Sequence, residues 1–226
     1  MTNYGFVRVA TATPQVKVAD CIYNTAQMVQ MISEAESKEV SIVVFPELSV
    51  TAYTCADLFL QRILLDESLT ALKEICEATR DLSVTAIVGV PVEIGTRLYN
   101  TAVVISDGVI HGVVPKTFLP NYNEFYEKRW FSSASTLKSK EIVICGQKVP
   151  VGSDLIFEMS DTRFSIEICE DLWSPIPPSS IASVNGAEII FNLSASNETT
   201  SKHIYRKDLI KQQSARCISG YVYAAA

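Results

Sequence analysis

Residues 165–173 read Ser-Ile-Glu-Ile-Cys-Glu-Asp-Leu-Trp, and in this stretch a strand-like pattern ends in a cysteine followed at once by two acids. Polar and apolar residues alternate from Arg163 to Ile168, which predicts a half-buried β-strand that ends at Cys169. Side chains at the carboxyl ends of strands often form active sites in layered α/β folds, because they leave the sheet above a rigid backbone. A lone cysteine is more often a buried structural thiol, so the rest of the chain must decide between the two interpretations.

The composition indicates a globular chain with a small partner. Its 226 residues suffice for one large core, and we predict a single domain over residues 1–226. Hydrophobic residues make up 48% and the net charge is −6, which argues against nucleic acid or anionic lipid as a partner. The sequence shows neither a signal peptide nor an apolar run of roughly 20 residues, so we expect a cytoplasmic protein without a membrane segment. The six cysteines form no Cys-x-x-Cys pair, which predicts reduced thiols and no metal site.

Strand and helix patterns alternate along the chain and predict an α/β fold. Predicted helices begin at Asp20, Ser68 and Ser201, and a short one ends at Gly186. The Asp107-Gly108 pair predicts a tight hairpin between two strands, because both residues tolerate positive φ. We expect one face of the first helix to be buried, the face of Ile22, Ala26, Val29 and Ile32. The predicted strands are residues 5–12, 41–45, 84–90, 99–106, 109–114, 142–145, 155–158, 163–168, 188–193 and 221–225.

Two further charged residues follow predicted strands directly. Glu47 comes after the strand at 41–45 and Pro46, and Lys116 comes after the hairpin and Pro115. Taken singly, each has a plain interpretation, because charged side chains mostly face solvent. Together with Cys169 they supply a general base, an ammonium that can stabilise an oxyanion and a sulfur nucleophile, which favours a shared active site. A Cys169–His203 dyad stays open as the alternative, because histidine is the commonest base for a cysteine nucleophile.

Residues 121–131 read Asn-Tyr-Asn-Glu-Phe-Tyr-Glu-Lys-Arg-Trp-Phe, which is too aromatic for an ordinary exposed loop. This segment predicts a pocket wall in which aromatic rings beside Glu124 raise the pKa of its carboxyl. An interface patch or core packing explains the same pattern. The apolar strand at 221–225 ends the chain, and since domains usually close with an exposed tail, we expect a chain truncated at its C-terminal end.

Three blocks of the sequence resemble the nitrilase superfamily of carbon–nitrogen hydrolases. They are Phe-Pro-Glu at 45–47, Pro-Lys at 115–116 with Asn-Tyr-x-Glu-Phe-Tyr-Glu after it, and Ile-Cys-Glu-Asp-Leu-Trp at 168–173. Within the superfamily the blocks are most similar to the glutaminase domain of glutamine-dependent NAD synthetases. The resemblance covers nearly the whole chain and implies a four-layer α-β-β-α sandwich, an arrangement that the alternating pattern alone does not specify.

The resemblance also implies roles for individual residues. Glu47 matches the family's general base, Lys116 its lysine, Cys169 its nucleophile and Glu124 its second active-site glutamate. The residues implied to bind the amino-acid end of the substrate are Tyr122, Ser196 and Lys202. The backbone N–H of Glu170 is expected to meet the oxyanion together with Lys116.

The implied reaction is hydrolysis of the glutamine side-chain amide through a cysteine thioester. The ammonia would serve NAD synthesis on a synthetase domain that this chain lacks, because it contains no glycine-rich phosphate-binding run. No cofactor is expected for this domain, since ATP and the NAD precursor would bind to the synthetase domain. The resemblance further implies a homo-oligomer. The alternatives are another amidase or carbamoyl hydrolase of the superfamily and a catalytically silent assembly module.

Overall fold

The first of the two larger β-sheets carries the predicted hairpin. The computed structural model describes residues 5–159 and 162–226. The strands of this sheet are β1 (Val9–Thr11), β2 (Ile42–Val44), β3 (Thr85–Ile94), β4 (Arg97–Ser106) and β5 (Val109–Pro115), in that order. β1, β2 and β3 pair in parallel, while β3, β4 and β5 pair antiparallel. The carboxyl ends of β2, β3 and β5 therefore lie at the same edge.

The second sheet carries the stretch at 165–173. A separate hairpin, β6 (Glu141–Ile144) and β7 (Gln147–Pro150), comes before it in the chain. The sheet contains β8 (Phe157–Met159), β9 (Thr162–Ile168), β10 (Ile189–Ser194) and β11 (Gly220–Ala225), in the spatial order β11-β10-β9-β8. β9, β10 and β11 are parallel to one another, so their carboxyl ends also share an edge.

Side-chain alternation on the strands divides the apolar residues between two cores. On β2, Ile42 and Val44 pack in the core between the two sheets, whereas Val43 packs in the core beneath the first helices. The strand β9 contributes alternate residues to the core between the sheets, namely Phe164, Ile166 and Ile168. Both faces of β9 are nevertheless buried, because Ser165 and Glu167 on its other face lie under helices. The prediction of a half-buried strand is thus wrong for this element.

Helices cover the outer faces of both sheets. The helices α1 (Cys21–Ser37) and α2 (Arg62–Ala78) pack on the first sheet, and α3 (Pro178–Val184) and α4 (Lys202–Cys217) pack on the second. The layers follow the order helix, sheet, sheet, helix, which confirms the four-layer α-β-β-α sandwich. Among the described residues, no helix combines the length and the apolar character needed to cross a membrane.

Helix α1 begins where the sequence predicts, but it buries a different face. Asp20 caps it by accepting a hydrogen bond from the Tyr23 N–H at 3.0 Å. Ile22 is 71% exposed, while Asn24 is fully buried. The amide of Asn24 bonds to the backbone of Lys17 and to the carbonyl of Val50, so burial leaves this polar group satisfied. Such tertiary partners cannot be deduced from the hydrophobic period of one helix.

Three other element boundaries differ from the sequence prediction. Helix α2 begins at Arg62, and Ser68 lies inside it, where its buried hydroxyl is satisfied by donating to the Leu64 carbonyl at 2.7 Å. Strand β3 continues through Pro91, since β2 pairs with β3 only as far as Ile87 and the proline nitrogen therefore breaks no hydrogen bond to β2.

Helix α4 ends at Cys217, with a left-handed Ile218 in the position predicted for Gly220. Ser201 precedes this helix, but its side chain makes no capping bond. The hairpin prediction is confirmed, with φ values of 48° at Asp107 and 73° at Gly108. The predicted last strand is also confirmed, as β11, which pairs in parallel with β10.

Candidate active site

Glu47 lies in the loop that follows β2, and its carboxylate is buried among three donors. Oε1 accepts from the Asn100 amide at 2.7 Å and from Lys116 Nζ at 2.6 Å. Oε2 accepts from the backbone N–H of Ala195 at 3.0 Å. Since Asn100 lies on β4 and Ala195 follows β10, both sheets fix the carboxylate at their shared edge.

Gly89 on β3 allows the Glu47 loop to pass close to the sheet. A Cβ atom built on Gly89 would lie 2.3 Å from the Leu48 nitrogen and 2.6 Å from the Pro46 carbonyl oxygen. The loop is tied down there because the Val50 N–H donates to the Gly89 carbonyl at 3.1 Å. This glycine is required by a close backbone approach, as at other crowded crossings.

Lys116 follows β5 and is fully buried between two carboxylates. Its Nζ lies 2.6 Å from Glu47 Oε1 and 2.6 Å from Glu127 Oε1. Burial disfavours the charged ammonium, yet the two carboxylates hold the pKa of Lys116 well above its ordinary value. An ammonium has three N–H donors, and these two bonds leave one donor for a third acceptor.

The second acid at this ammonium is Glu127, and the structure does not bring the predicted Glu124 there. Glu127 is buried in a 3₁₀ turn at Glu127–Arg129, and its carboxylate also accepts from the Tyr53 hydroxyl at 2.8 Å. Burial raises the pKa of Glu127 to about 7. Glu124 lies three residues earlier in an exposed loop and accepts from the Asn197 amide. Both glutamates belong to the same sequence block, and only the path of the loop separates them.

Cys169 begins a 3₁₀ turn, Cys169–Trp173, directly after β9, with a left-handed φ of 45°. This region is costly for a side chain with a Cβ atom, and such strain is typical of functional positions. The Cys169 N–H donates to Asn192 Oδ1 at 3.2 Å. Burial raises the pKa of the thiol to about 12, and the nearby Glu47 adds to the effect while Lys116 opposes it. The thiol is therefore protonated near neutral pH and needs a base.

Asp171, the second of the two acids after Cys169, joins the lysine segment to the cysteine turn, a role that its place in the sequence does not predict. It is buried, and Oδ1 accepts from the N–H groups of Thr117 and Phe118 at 3.1 and 2.8 Å. Oδ2 accepts from the Ile168 N–H at 2.9 Å. Burial raises the pKa of Asp171 to about 8, although the hydrogen bonds from the N–H groups of Phe118 and Ile168 act to lower it. One carboxylate thus fixes the residues after Lys116 relative to the residue before Cys169.

A cavity of about 300 Å³ opens onto Cys169. Every residue that the resemblance implies for substrate binding lines this cavity. The Tyr122 hydroxyl donates to the two carboxylate oxygens of Glu170 at 3.0 and 2.9 Å. Lys202 Nζ bonds to Asn197 and lies 5.3 Å from the centre of the Trp173 ring. The predicted site residues that line the cavity are Tyr122, Glu124, Cys169, Glu170, Ser196 and Lys202. The expected pocket wall is therefore confirmed only for residues 122–125, which form one side of the cavity, whereas Trp130 and Phe131 pack in the core.

The alternative base, His203, does not line this cavity. Its side chain is 66% exposed, and Nδ1 lies 3.7 Å from the Glu198 carboxylate. The other histidine, His111, bonds to Ser106 at 2.7 Å on β5. The arrangement around Cys169 thus favours Glu47 as the base over a Cys169–His203 dyad.

Comparisons with known proteins bear on the family of this chain. A family model described as carbon-nitrogen hydrolase matches residues 8–226. The glutamine-dependent NAD(+) synthetase of Mycobacterium tuberculosis (strain ATCC 25618 / H37Rv) is 40% identical over an alignment 227 residues long, which covers 99% of this chain and 33% of that protein. The chain therefore spans about a third of the length of such curated relatives.

Solved structures show the same likeness. A glutamine-dependent NAD(+) synthetase from Cytophaga hutchinsonii superimposes with a TM-score of 0.85 at 30% identity, covering 97% of this chain and 36% of that one. An amidase of the nitrilase superfamily from Nesterenkonia AN1 superimposes with a TM-score of 0.78, covering 97% of this chain and 76% of that one. At 15% identity, this second likeness supports the fold alone.

Proposed function

This chain belongs to the carbon-nitrogen hydrolase family, and from that premise we propose that it hydrolyses the side-chain amide of glutamine through a thioester on Cys169. One observation carries the proposal. A buried lysine, Lys116, is shared by two buried carboxylates, Glu47 and Glu127, next to a buried cysteine at the end of a cavity. Such a set can activate a sulfur nucleophile and stabilise the charge that its attack creates.

The first step transfers the thiol proton to Glu47. Because burial raises the pKa of Cys169, little thiolate exists before substrate binds, and proton transfer accompanies attack on the amide carbon. The new bond joins sulfur to that carbon, and the carbonyl electron pair moves to oxygen. The remaining N–H of Lys116 and the backbone N–H of Glu170 meet this oxyanion.

The second step expels ammonia. Glu47 returns its proton to the amide nitrogen, the carbon–nitrogen bond breaks, and the thioester of glutamate remains on Cys169. Glu47 then takes a proton from a water molecule as its oxygen attacks the thioester carbon. The carbon–sulfur bond breaks, Glu47 gives this proton to the departing sulfur, and the products are glutamate and the regenerated thiol. Glu127 takes the part that the resemblance assigned to Glu124, since it holds Lys116 and, with a pKa raised to about 7, can share the protons of the cluster.

The charges at the cavity mouth fit the amino-acid end of glutamine. Glu124 and Glu170 are acidic and suit its ammonium, whereas Lys202 is cationic and suits its carboxylate. Tyr122 and Ser196 add hydroxyl groups beside them. A simple aliphatic amide would leave these charged groups unused, so the mouth favours glutamine over the substrates of other amidases.

The ammonia would pass to a synthetase domain. Relatives with about three times this length are named glutamine-dependent NAD(+) synthetases, and we propose that ATP and the NAD precursor bind to the two thirds of such proteins that this chain does not span. The six cysteines are all free thiols, in keeping with a cytoplasmic location. A homo-oligomer fits the exposed apolar side chains on and just after α3 and α4, which include Ile181, Val184, Ile204 and Ile218.

Labelling with a glutamine-analogue alkylator tests this function. We expect one adduct, on Cys169, with loss of glutamate release, because only this cysteine lines the cavity. Excess glutamine should protect it, while a simple aliphatic amide should not. Cys217→Ala is the matched control, because Cys217 lies at the end of α4 and bonds to Gln213 outside the cavity. Scattered labelling, or labelling of Cys169 without loss of glutamate release, would overturn the proposal and favour a silent module.

A further inference from the structure

The strand β10 contacts both the nucleophile and the general base. Its residue Asn192 is fully buried, and Oδ1 of this side chain accepts from the Cys169 N–H at 3.2 Å. Directly after the strand, the Ala195 N–H donates to Glu47 Oε2 at 3.0 Å. One strand therefore holds the two groups between which the first proton moves, and Asn192 is the member of this pair of contacts that has no role in the proposed reaction.

The Cys169 N–H depends on a side chain for its acceptor. The last residues of β9 and β10 that pair in register are Ile168 and Leu193, so the ladder between the strands ends before Cys169. The first N–H groups of a helical turn also have no partner within that turn, and Cys169 begins one with a left-handed φ of 45°. A buried N–H without an acceptor is costly, so the bond to Asn192 stabilises this conformation.

A chain of directed hydrogen bonds fixes the orientation of the Asn192 amide. The buried carboxylate of Glu167 accepts from the Ser179 N–H at 2.9 Å and from the Tyr221 hydroxyl. An ionised carboxylate only accepts, so the phenol proton is committed to Glu167 and the phenol oxygen is left to accept. Asn192 Nδ2 donates to this oxygen at 3.0 Å. With its NH₂ group on Tyr221, the amide turns its carbonyl oxygen toward the Cys169 N–H.

The neighbouring Tyr223 makes a separate hydrogen bond. It lies two residues after Tyr221 on β11 and therefore shares its face of the sheet. Its hydroxyl donates to Ser194 Oγ at 2.5 Å, outside the path from Glu167 to Cys169. Tyr223 is therefore a matched control for Tyr221.

We propose that Asn192 is a positioning residue for the nucleophile, oriented by Glu167 through Tyr221 so that its carbonyl oxygen holds the Cys169 N–H. The inference rests on the proposed function only in taking Cys169 as the nucleophile. With this N–H occupied, the next one along the chain, that of Glu170, is left for the oxyanion. Because β10 also holds Glu47, the bond to Asn192 keeps the sulfur in place relative to its base.

The decisive variant is Glu167→Gln, which keeps the shape of the side chain and reverses the hydrogen bonds. The Ser179 N–H still needs an acceptor, so the new amide turns its oxygen toward Ser179 and its NH₂ group toward Tyr221. The phenol proton then points at Asn192, whose amide turns its own NH₂ group toward the Cys169 N–H. We expect kcat to fall about 10²-fold, as for a small displacement of a reacting group. KM should stay within about twofold, since the residues of the mouth are unchanged.

A second substitution should restore the activity of that variant. Tyr221→Phe alone should lower kcat about threefold, as for the loss of one neutral hydrogen bond. Glu167→Gln combined with Tyr221→Phe should recover to that level, because no phenol proton remains to turn the Asn192 amide. Hydrogen bonds that merely stabilise the fold would instead make the double variant worse than either single one. Asn192→Leu, which is similar in size, should fall about 10²-fold with no such recovery.

Nuclear magnetic resonance reports the same bond without using activity. Selective ¹⁵N labelling of the six cysteines gives a small set of amide signals, and Cys169→Ala identifies the signal of Cys169. We expect this amide proton to shift upfield in Glu167→Gln and in Asn192→Leu, and to return when Tyr221→Phe is added to Glu167→Gln. The controls are Tyr223→Phe and Glu158→Gln, the latter at an exposed position on β8, and both should leave the signal in place.

An unmoved Cys169 signal in Glu167→Gln, unchanged turnover in that variant, or a double variant slower than Glu167→Gln alone would overturn the proposal. If the signal moves and returns as expected while Cys169→Ala still releases glutamate, the proposed function fails and the orientation of Asn192 by Glu167 stands.

Discussion

The buried end of the site and its mouth use the same residue types under opposite conditions. At the buried end, Glu47, Lys116 and Glu127 are 2% exposed or less, and each charge has a partner within 3 Å. At the mouth, Glu124 is exposed and Lys202 is partly exposed, beside solvent and aromatic rings. Interactions between charged side chains are strong and fix their geometry where water is excluded, and they are weak and leave the side chains adaptable where water is present. The buried end therefore suits bond making, and the mouth suits recognition of a small zwitterion.

Removing the sulfur should give the largest effect. We expect Cys169→Ala to abolish glutamate release while the circular dichroism spectrum stays unchanged, because a small side chain at the end of a strand contributes little packing. Cys217→Ala should keep activity. Retained hydrolysis in Cys169→Ala with an unchanged spectrum would show that the buried end does not carry the chemistry.

The next largest effect should come from substitutions in the buried cluster of Lys116, Glu47 and Glu127. Lys116→Ala removes an oxyanion donor, which costs about 10²–10³-fold in kcat. It also leaves two buried carboxylates without their cation, so we expect a loss of about 3–5 kcal/mol in the free energy of unfolding. Glu47→Gln should lose turnover without that full loss of stability, since the amide can still accept from Lys116. Urea denaturation and steady-state kinetics of both variants measure the difference. Near wild-type turnover in either one would contradict the arrangement.

Substitutions of Glu124 and Glu127, which both lie in the aromatic stretch at 121–131, compare the mouth with the buried end most directly. Glu127→Gln should lower kcat by about tenfold or more, because it weakens the hold on Lys116. Glu124→Gln should change mainly KM, by a few-fold, since its carboxylate lies in an exposed loop. Kinetics with glutamine compare this matched pair. A larger kcat loss in Glu124→Gln than in Glu127→Gln would restore Glu124 as the second active-site acid.

The smallest expected effect is on the pH dependence of the free energy of unfolding, which should again differ between the Glu127 and Glu124 variants. Burial raises the pKa of Glu127 from 4.5 to about 7, so the folded state holds a proton that the unfolded state releases in that window. This contribution to stability is complete below about pH 4.5 and is lost as pH rises through about 7. Glu127→Gln should flatten the slope there by up to about 1.4 kcal/mol per pH unit, while Glu124→Gln should not. Thermal unfolding between pH 4.5 and 8 measures it, and equal slopes in both variants would contradict a buried acid at Glu127.

Local patterns in the sequence predicted much of the fold because they reflect local physics. The Asp107-Gly108 hairpin depends on two residues that tolerate positive φ, and the start of α1 depends on a cap three residues from its donor. The alternation on β9 placed Cys169 at a strand end. The resemblance supplied the four-layer order, and Glu47, Lys116 and Cys169 do lie together at one edge of the two sheets.

Other features depend on contacts between distant segments, and no local pattern encodes these. Glu124 and Glu127 are three residues apart in one block, and only the packing of the 3₁₀ turn against Tyr53 and Lys116 buries the second. The buried face of α1 carries Cys21, Met28, Ile32 and Ala35, and the polar Asn24 can share this face because its amide bonds to the Val50 carbonyl in a distant loop.

The sequence by itself determined the residue types of the site, their order along the chain and the strand ends that present them. The tertiary structure alone decided which acid reaches the ammonium, that Asp171 ties the lysine segment to the cysteine turn, and that Tyr223 on the last strand donates to the buried Ser194. The physical reason is that burial and hydrogen-bond partners are set by segments far apart in the chain, whereas strand ends, caps and turns are set by neighbours within a few residues.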